Sequence, residues 1–532
     1  MRREPSGQCR GTPVELGEQA GGAWMRFHDQ VLHADQTRRD PQLEYGRLHA
    51  ELALRSRQER IQFAHPVRAG DIERLTRHQR RQADFPAGGD GSLGGWDLGG
   101  DLPGTRQRRK GDESKKKSGK CEFHDEMSVT LIPRLDKATL VTLLAFSATV
   151  TIWNTDPLLT WGYEIAVFTL AGLECLKLRQ IETLSLAPLA WGVPVLAIGL
   201  WGFIQLAAGA TVYRWATVNA ALQNAALAAT ALSAFLVLRS PQARAVLLRG
   251  VRWAGLFMAV VSVLAYWTSP GKILWIVPTE YPDNWGPFPS RNNFAQFLEL
   301  CFPVALYDAA QYEAALCETT RRGQSWTAFI APAVMLGAGL ASASRAGAVL
   351  LTAETLTGLW TLRGRIRMPI FGFASCALGF AAVAGAGTLA HRFGEPDPLQ
   401  LRREIFRSSV AMIAQRPGLG YGLGTFATVY PAFAEFDSGK TVDHAHNDWL
   451  EWTAGGGVFY AAMWAWLAIW AVRPALRSAW GLGIPAVFIH ALVDYPFARL
   501  GVSAWVFLLL GALAREAEKT PHRELLSRGR AE

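Results

Sequence analysis

From Lys137 onward the apolar positions form near-continuous runs, about 16 to 23 residues long, instead of the one-sided stripe of a water-soluble helix. These runs lie near 138–154, 158–176, 188–210, 216–238, 250–267, 293–310, 326–343, 346–362, 369–390, 448–472, 480–497 and 500–515. Each is long enough to cross a hydrocarbon layer of about 30 Å as a helix. So many apolar helices in succession cannot all be central to one water-soluble core. The pattern predicts an all-α fold, a polytopic transmembrane helix bundle of about 12 spans with a long, partly helical loop outside the membrane.

Charge in the connections orients the bundle. Lys177 and Arg179, then Arg239, Arg244, Arg249 and Arg252, then Arg321 and Arg322, then Arg363, Arg365 and Arg367, then Arg473 and Arg477 fall on alternate loops and mark the cytoplasmic side. Arg134 and Lys137 before the first run, and Arg515, Lys519 and Arg523 after the last, share that side, so both termini are expected in the cytoplasm. Two long connections then face outward, at 268–292 and 391–447. Trp153, Trp161, Trp201, Trp215, Trp267, Trp360 and Trp480 lie near predicted helix ends, as in an interfacial aromatic belt. No internal repeat is evident, which removes the usual signature of an inverted-repeat transporter.

Composition separates residues 1–126 from the rest. That segment is rich in Arg, Gln, Asp and Gly, its 23 basic residues are nearly balanced by 20 acidic ones, and it has no apolar period. The basic cluster from Arg106 to Lys120 reads as a solvated, disordered segment, and no nucleic-acid partner is expected. Met127 opens MSVTLIPRLDKATL, an ordinary cytoplasmic start for a membrane protein, so residues 1–126 are expected to be a disordered or mis-assigned extension. The remaining divisions are N-terminal membrane helices at 127–249, a second membrane domain at 250–515 containing the loop 391–447, and a cytoplasmic tail at 516–532. Six scattered cysteines without paired spacing suggest neither a disulfide framework nor a zinc site.

The loop 391–447 is the first place to look for chemistry, because loops much longer than about a dozen residues are functional or disordered. It opens with an amphipathic stretch, Arg402 to Ala414, in which Ile405, Phe406, Val410 and Ile413 share one predicted face and Arg402, Arg403 and Arg407 another. The glycines of PGLGYGLG at 417–424 permit tight turns, and the segment reads as a compact turn supporting the loop. The loop closes on Asp443-His444-Ala445-His446-Asn447-Asp448-Trp449-Leu450-Glu451. Asn447 is a helix N-cap, and Asp448 and Glu451 suit the positive helix end. Capping does not account for two histidines, whose imidazoles accept a proton near neutral pH and are candidate general bases. A metal site from Asp443, His444 and His446 would need a further ligand cluster that the sequence does not supply.

Arg291 and Arg345 each stand at the outer end of an apolar run, where a charge is costly unless it snorkels to headgroups or binds an anionic substrate group such as phosphate. Glu299 is a candidate partner for either. His490 and Asp494, four residues apart, are expected to share a helical face as a buried pair.

Five segments, SRNNFAQFLEL at 290–300, SASRAGAVL at 342–350, RREIFRSSVAMIAQRPGLGYGLGTFATVYP at 402–431, HAHNDWLEWTAGGG at 444–457 and HALVDYPF at 490–497, together resemble the O-antigen ligase and O-antigen polymerase-like family. The resemblance covers most of 250–515 and implies a metal-independent glycosyltransferase of the bacterial inner membrane, acting in lipopolysaccharide or surface polysaccharide biosynthesis. It would move a glycan from a polyprenyl-pyrophosphate carrier to a hydroxyl of a glycan, lipid or protein acceptor, with no cofactor. Arg291 and Arg345 would hold the pyrophosphate, and His446 would orient or deprotonate the acceptor hydroxyl. Arg402, Arg403, Arg407, His444 and Asn447 would contribute to substrate binding. Polymerases and protein O-oligosaccharyltransferases share these motifs. A polysaccharide transporter is the alternative from another class and predicts helices broken at mid-membrane.

Overall fold

The computed structural model describes residues 136–154, 156–178, 189–279, 284–320, 326–363, 370–384, 387–394, 400–435 and 441–528. All of these belong to one compact unit, Asp125–Glu532. The expectations for residues 1–126, the start at Met127, and Arg179, Arg321, Arg322, Arg365 and Arg367 lie outside the described residues.

The described chain is helical apart from one small hairpin. The helices are α1 (Lys137–Ala148), α2 (Pro157–Leu178), α3 (Leu189–Ala207), α4 (Arg214–Val237), α5 (Pro241–Thr268), α6 (Arg291–Thr320), α7 (Ile330–Ala341), α8 (Arg345–Thr361), α9 (Ile370–Ala384), α10 (Gly387–Phe393), α11 (Gln400–Gln415), α12 (Phe426–Val429), α13 (Asp448–Ser478), α14 (Gly483–His490) and α15 (Leu500–Arg528). Strands β1 (Lys272–Ile273) and β2 (Val277–Pro278) pair antiparallel between α5 and α6. Every apolar run named above carries a helix. Five of these helices, α3, α4, α5, α13 and α15, are long and apolar enough to cross a membrane. The run at 480–497 differs from expectation, because α14 stops at His490 and 491–499 is a series of turns.

Small residues let the helices approach closely. A Cβ on Gly202 would stand 2.6 Å from the Ala221 side chain, and one on Gly511 would stand 2.0 Å from the Ala231 carbonyl oxygen, so α3 and α15 both lie hard against α4. The most apolar window of α15 is 83% buried whereas those of the other four spans are half-buried or less, so α15 is the most interior of the five. The Trp505 indole N–H on α15 donates to Thr149 Oγ1 at 3.1 Å, which satisfies a polar group where no water reaches. Trp161, Trp215, Trp267 and Trp360 are exposed as belt residues would be. Trp480 is not, being fully buried with its indole N–H on Glu516 at 2.8 Å.

Candidate functional site

His446 precedes α13 in a conformation few residues adopt, with φ of 51°. Asn447 then turns extended and caps the helix, its Oδ1 accepting from the Leu450 N–H at 3.1 Å, as its sequence position predicts. Asp448 is buried and accepts from the Phe497 N–H at 2.9 Å, while its own N–H donates to Ala491 O and Asp494 O at 2.9 and 3.2 Å. The start of α13 is thereby locked to the 491–499 turns.

That lock sets Asp494 beside His446, with Oδ1 to Nδ1 at 3.7 Å. The distance is an ion-pair contact and longer than a hydrogen bond. The imidazole is 34% exposed and the carboxylate 3%, so a solvent-facing base is backed by a buried acid. Burial pushes the Asp494 carboxyl up, but contact with His446 and the positive charges of His490 and Arg402 outweigh it and hold the group below its ordinary value. Gln296 Nε2 on α6 donates to Asp494 Oδ2 at 3.3 Å and is itself oriented by Asn293 Nδ2 at 2.9 Å.

His444 has a separate carboxylate. Its Nδ1 lies 3.0 Å from Glu451 Oε1, while Glu451 Oε2 accepts from the Ala445 N–H at 2.9 Å. The Tyr495 ring stands between the two histidines, stacked on His444 at 4.5 Å and edge-on to His446 at 5.0 Å. Among the described residues no group of three His, Cys, Asp or Glu is placed to hold a metal ion.

Arg291 and Arg345 are the first residues of α6 and α8. The two helix starts touch, since a Cβ on Gly347 would lie 2.5 Å from the Ala295 side chain. The start of α6 reaches the 491–499 turns through Gln296 and Asp494, and the start of α13 reaches them through Asp448. Three helix N-termini, each a positive dipole end, therefore gather at the His446 end of the bundle with two guanidinium groups at their first turns. The Arg345 guanidinium donates from Nη1 to the Arg392 carbonyl of α10 at 2.9 Å. Glu299 is fully buried on α6. It is bound to His490, Oε1 to Nδ1 at 2.7 Å, so the expected His490–Asp494 pair is replaced by His490–Glu299, and Asp494 turns to His446. α14 ends at His490, although the Asp494 N–H still donates to the His490 carbonyl at 3.1 Å.

The three arginines of α11 part company. Arg402 Nη1 donates to the Val493 carbonyl, Arg407 pairs with Glu404 at 2.8 Å on an exposed face, and Arg403 is exposed. Arg402 thus reaches the 491–499 turns through a hydrogen bond. The buried face of α11 is Ile405, Ser408, Ser409 and Met412, while Val410, placed with Ile405 on one apolar face, is 55% exposed.

The glycine-rich segment does more than turn. α13 is interrupted at Gly457 (φ 80°, ψ 175°), and residues 417–424 run into the gap. Tyr421 N–H and Gly422 N–H donate to Ala454 O and Gly455 O at 3.0 and 2.9 Å, and Val458 N–H donates to Pro417 O at 2.8 Å. Gln205 on α3 seals the junction by donating to Leu419 O and Gly455 O and accepting from the Leu423 N–H, at 2.6, 2.8 and 3.0 Å. Trp201 Nε1 takes the remaining carbonyl, Gly456 O, at 2.8 Å. The broken helix is filled by its own loop, so the carbonyls at the break are satisfied.

Asp494, Glu451, Tyr495 and Gln296 are the parts of this cluster that sequence reasoning left out or assigned elsewhere. Pro496 was the available signal for Asp494, because a helix seldom runs into the residue before proline.

No curated protein matches the chain. Residues 330–465 match the family model described as O-antigen ligase, a stretch that holds Arg345, the three arginines of α11, both histidines and Asn447, with Arg291 and Asp494 outside it. By that match residues 330–465 are similar to the O-antigen ligase family, in a chain with five helices long and apolar enough to cross a membrane.

Proposed function

We propose that the protein transfers a glycan from a polyprenyl-pyrophosphate carrier to an acceptor hydroxyl at the periplasmic face of the bacterial inner membrane. One observation carries the reading: a partly exposed imidazole, His446, is backed by the buried Asp494 carboxylate at the end of the bundle where the Arg291 and Arg345 helix starts gather. The acceptor O–H gives its proton to His446, whose imidazolium is stabilised by Asp494. The acceptor oxygen bonds to the anomeric carbon of the donor sugar. The bond from that carbon to the phosphate oxygen breaks, and its electron pair leaves on the pyrophosphate. Arg291, Arg345 and the helix dipoles offset the charge growing there. His444, Arg402, Arg403, Arg407 and Asn447 bind or position substrate. Arg402 and Asn447 do so by holding the 491–499 turns and the α13 start.

The broken α13 favours this reading over a transporter, because the carbonyls of Ala454, Gly455 and Gly456 at the break already accept hydrogen bonds from Tyr421, Gly422, Gln205 and Trp201. The test is transfer from a purified polyprenyl-pyrophosphate-linked glycan to lipid A-core, glycan and protein acceptors, with His446→Ala and Arg345→Ala at matched membrane expression. Transfer lost in both variants and retained with a chelator supports the reading, and the productive acceptor distinguishes ligase, polymerase and protein transferase. Variants that match the wild type reject it.

A further inference from the structure

The hairpin β1–β2 leaves its hydrophobic tip outside the protein. Ile276 is 79% exposed, and Trp275 and Val277 are more than two-fifths exposed. The tip is built and held. Leu274 and Trp275 both adopt left-handed backbone, with φ of 48° and 65°, a conformation that opposes L side chains and persists only where the surroundings over-determine it. Thr279 N–H donates to Gly271 O at 3.0 Å and Ile276 N–H to Ile273 O at 3.1 Å, which close the hairpin, and the buried Asn284 donates from Nδ2 to Lys272 O at 2.9 Å, which ties its base to the body. Ile273 is the inward anchor at 4% exposure. A hydrophobic tip held rigidly away from the core, at such backbone cost, has no folding purpose in water.

The neighbouring helix shows what covers it. Trp253, Phe257, Val260, Leu264 and Trp267, spaced by three and four residues, form an exposed apolar stripe along the membrane-spanning α5. The stripe ends one residue before Thr268, and Trp275 Nε1 donates to Thr268 Oγ1 at 2.8 Å. The tip thus prolongs the lipid-facing stripe beyond the end of α5, and it precedes the start of α6 at the His446 end of the bundle. Trp275 and the exposed Lys272 are the residue types that sit at headgroup level.

We infer that Trp275, Ile276 and Val277 insert into the interfacial layer of the bilayer at the His446 end, making the hairpin a fixed lipid anchor between α5 and the Arg291 helix start. Insertion on the scale of about 5 to 10 Å would place the side chains at the headgroup–acyl boundary. The experiment uses the full chain with its native cysteines replaced by Ala, carrying Ile276→Cys or, separately, Val277→Cys, labelled with a polarity-sensitive fluorophore and reconstituted in phospholipid nanodiscs. Glu435→Cys, on the exposed part of the long loop, is the reference. The expected result is blue-shifted emission at both tip positions and a loss of roughly half the signal to lipids carrying a nitroxide near the headgroup, with less to a nitroxide deep in the acyl chain. Emission as in water with quenching by soluble iodide overturns the inference. A label shielded from both quenchers reports a protein surface over the tip and overturns it equally. Transfer activity is not read, so failure here leaves the proposed function untouched.

Discussion

At His446 the left-handed backbone, the Asn447 cap and the Asp494 carboxylate act on one imidazole, and the variants separate their contributions. His446→Ala is expected to lower the transfer rate by about 10²- to 10⁴-fold, with donor binding retained, measured as single-turnover transfer at saturating donor. Asp494→Asn keeps shape and removes the charge that stabilises the imidazolium, so it should lose less than His446→Ala, and a double variant should be no worse than His446→Ala alone. The Asp494 carboxyl is held below its ordinary value of 3.8, so its share of stability is present above that value and is lost only as pH falls through the lower folded-state value. The melting difference between wild type and Asp494→Asn should therefore not shrink from about pH 7 to about pH 5. A difference that shrinks within that window would contradict the ion-pair geometry.

Among elements, the junction of α13 with residues 417–424 carries the most specific requirement. A Cβ on Gly457 would stand 1.8 Å from the Gly418 carbonyl oxygen at a backbone angle that favours glycine. Gly457→Ala should cost more than the roughly 1 to 3 kcal/mol of backbone strain alone, whereas Gly162→Ala on α2, with nothing within 4 Å, should be neutral or slightly stabilising. Melting midpoints by fluorescence-detected size exclusion check both. Gln205→Leu orphans the Leu423 N–H and should destabilise the junction by about 1 to 3 kcal/mol in the same assay. On α11, Arg402→Ala should reduce transfer more than Arg407→Ala, because Arg402 alone of the two is bonded to the 491–499 turns. Equal losses would instead favour direct substrate contact by the outer face.

For the whole molecule, α13 carries the chain from the candidate site to the opposite end, where Arg473 and Arg477 lie. Single cysteines at Glu435 and Arg477 are expected to react with a membrane-impermeant thiol reagent from opposite sides, Glu435 from outside intact inner-membrane spheroplasts and Arg477 only after permeabilisation. Labelling of both from one side would remove α13 as a span and, with it, the outward placement of His446.

Much was legible in the chain by itself, because backbone groups in lipid must be satisfied within a helix and uninterrupted apolar runs allow little else. The helices, the Asn447 cap, and Arg291 and Arg345 at helix starts followed from local pattern, since each depends on neighbours within a turn. What required the fold were the pairings between distant segments. Asp494 with His446, Glu299 with His490, and Gln205 with the 417–424 loop join residues separated by 48, 191 and 214 or more positions, and a carboxylate's partner in a bundle is chosen by packing instead of spacing. Local periodicity read His490 and Asp494 as a buried pair and put Val410 on one face with Ile405. Tertiary structure gave His490 and Asp494 separate partners, because α6 sets Glu299 against His490 and the α13 start sets His446 beside Asp494, and it turned Ile405 and Met412 of α11 inward.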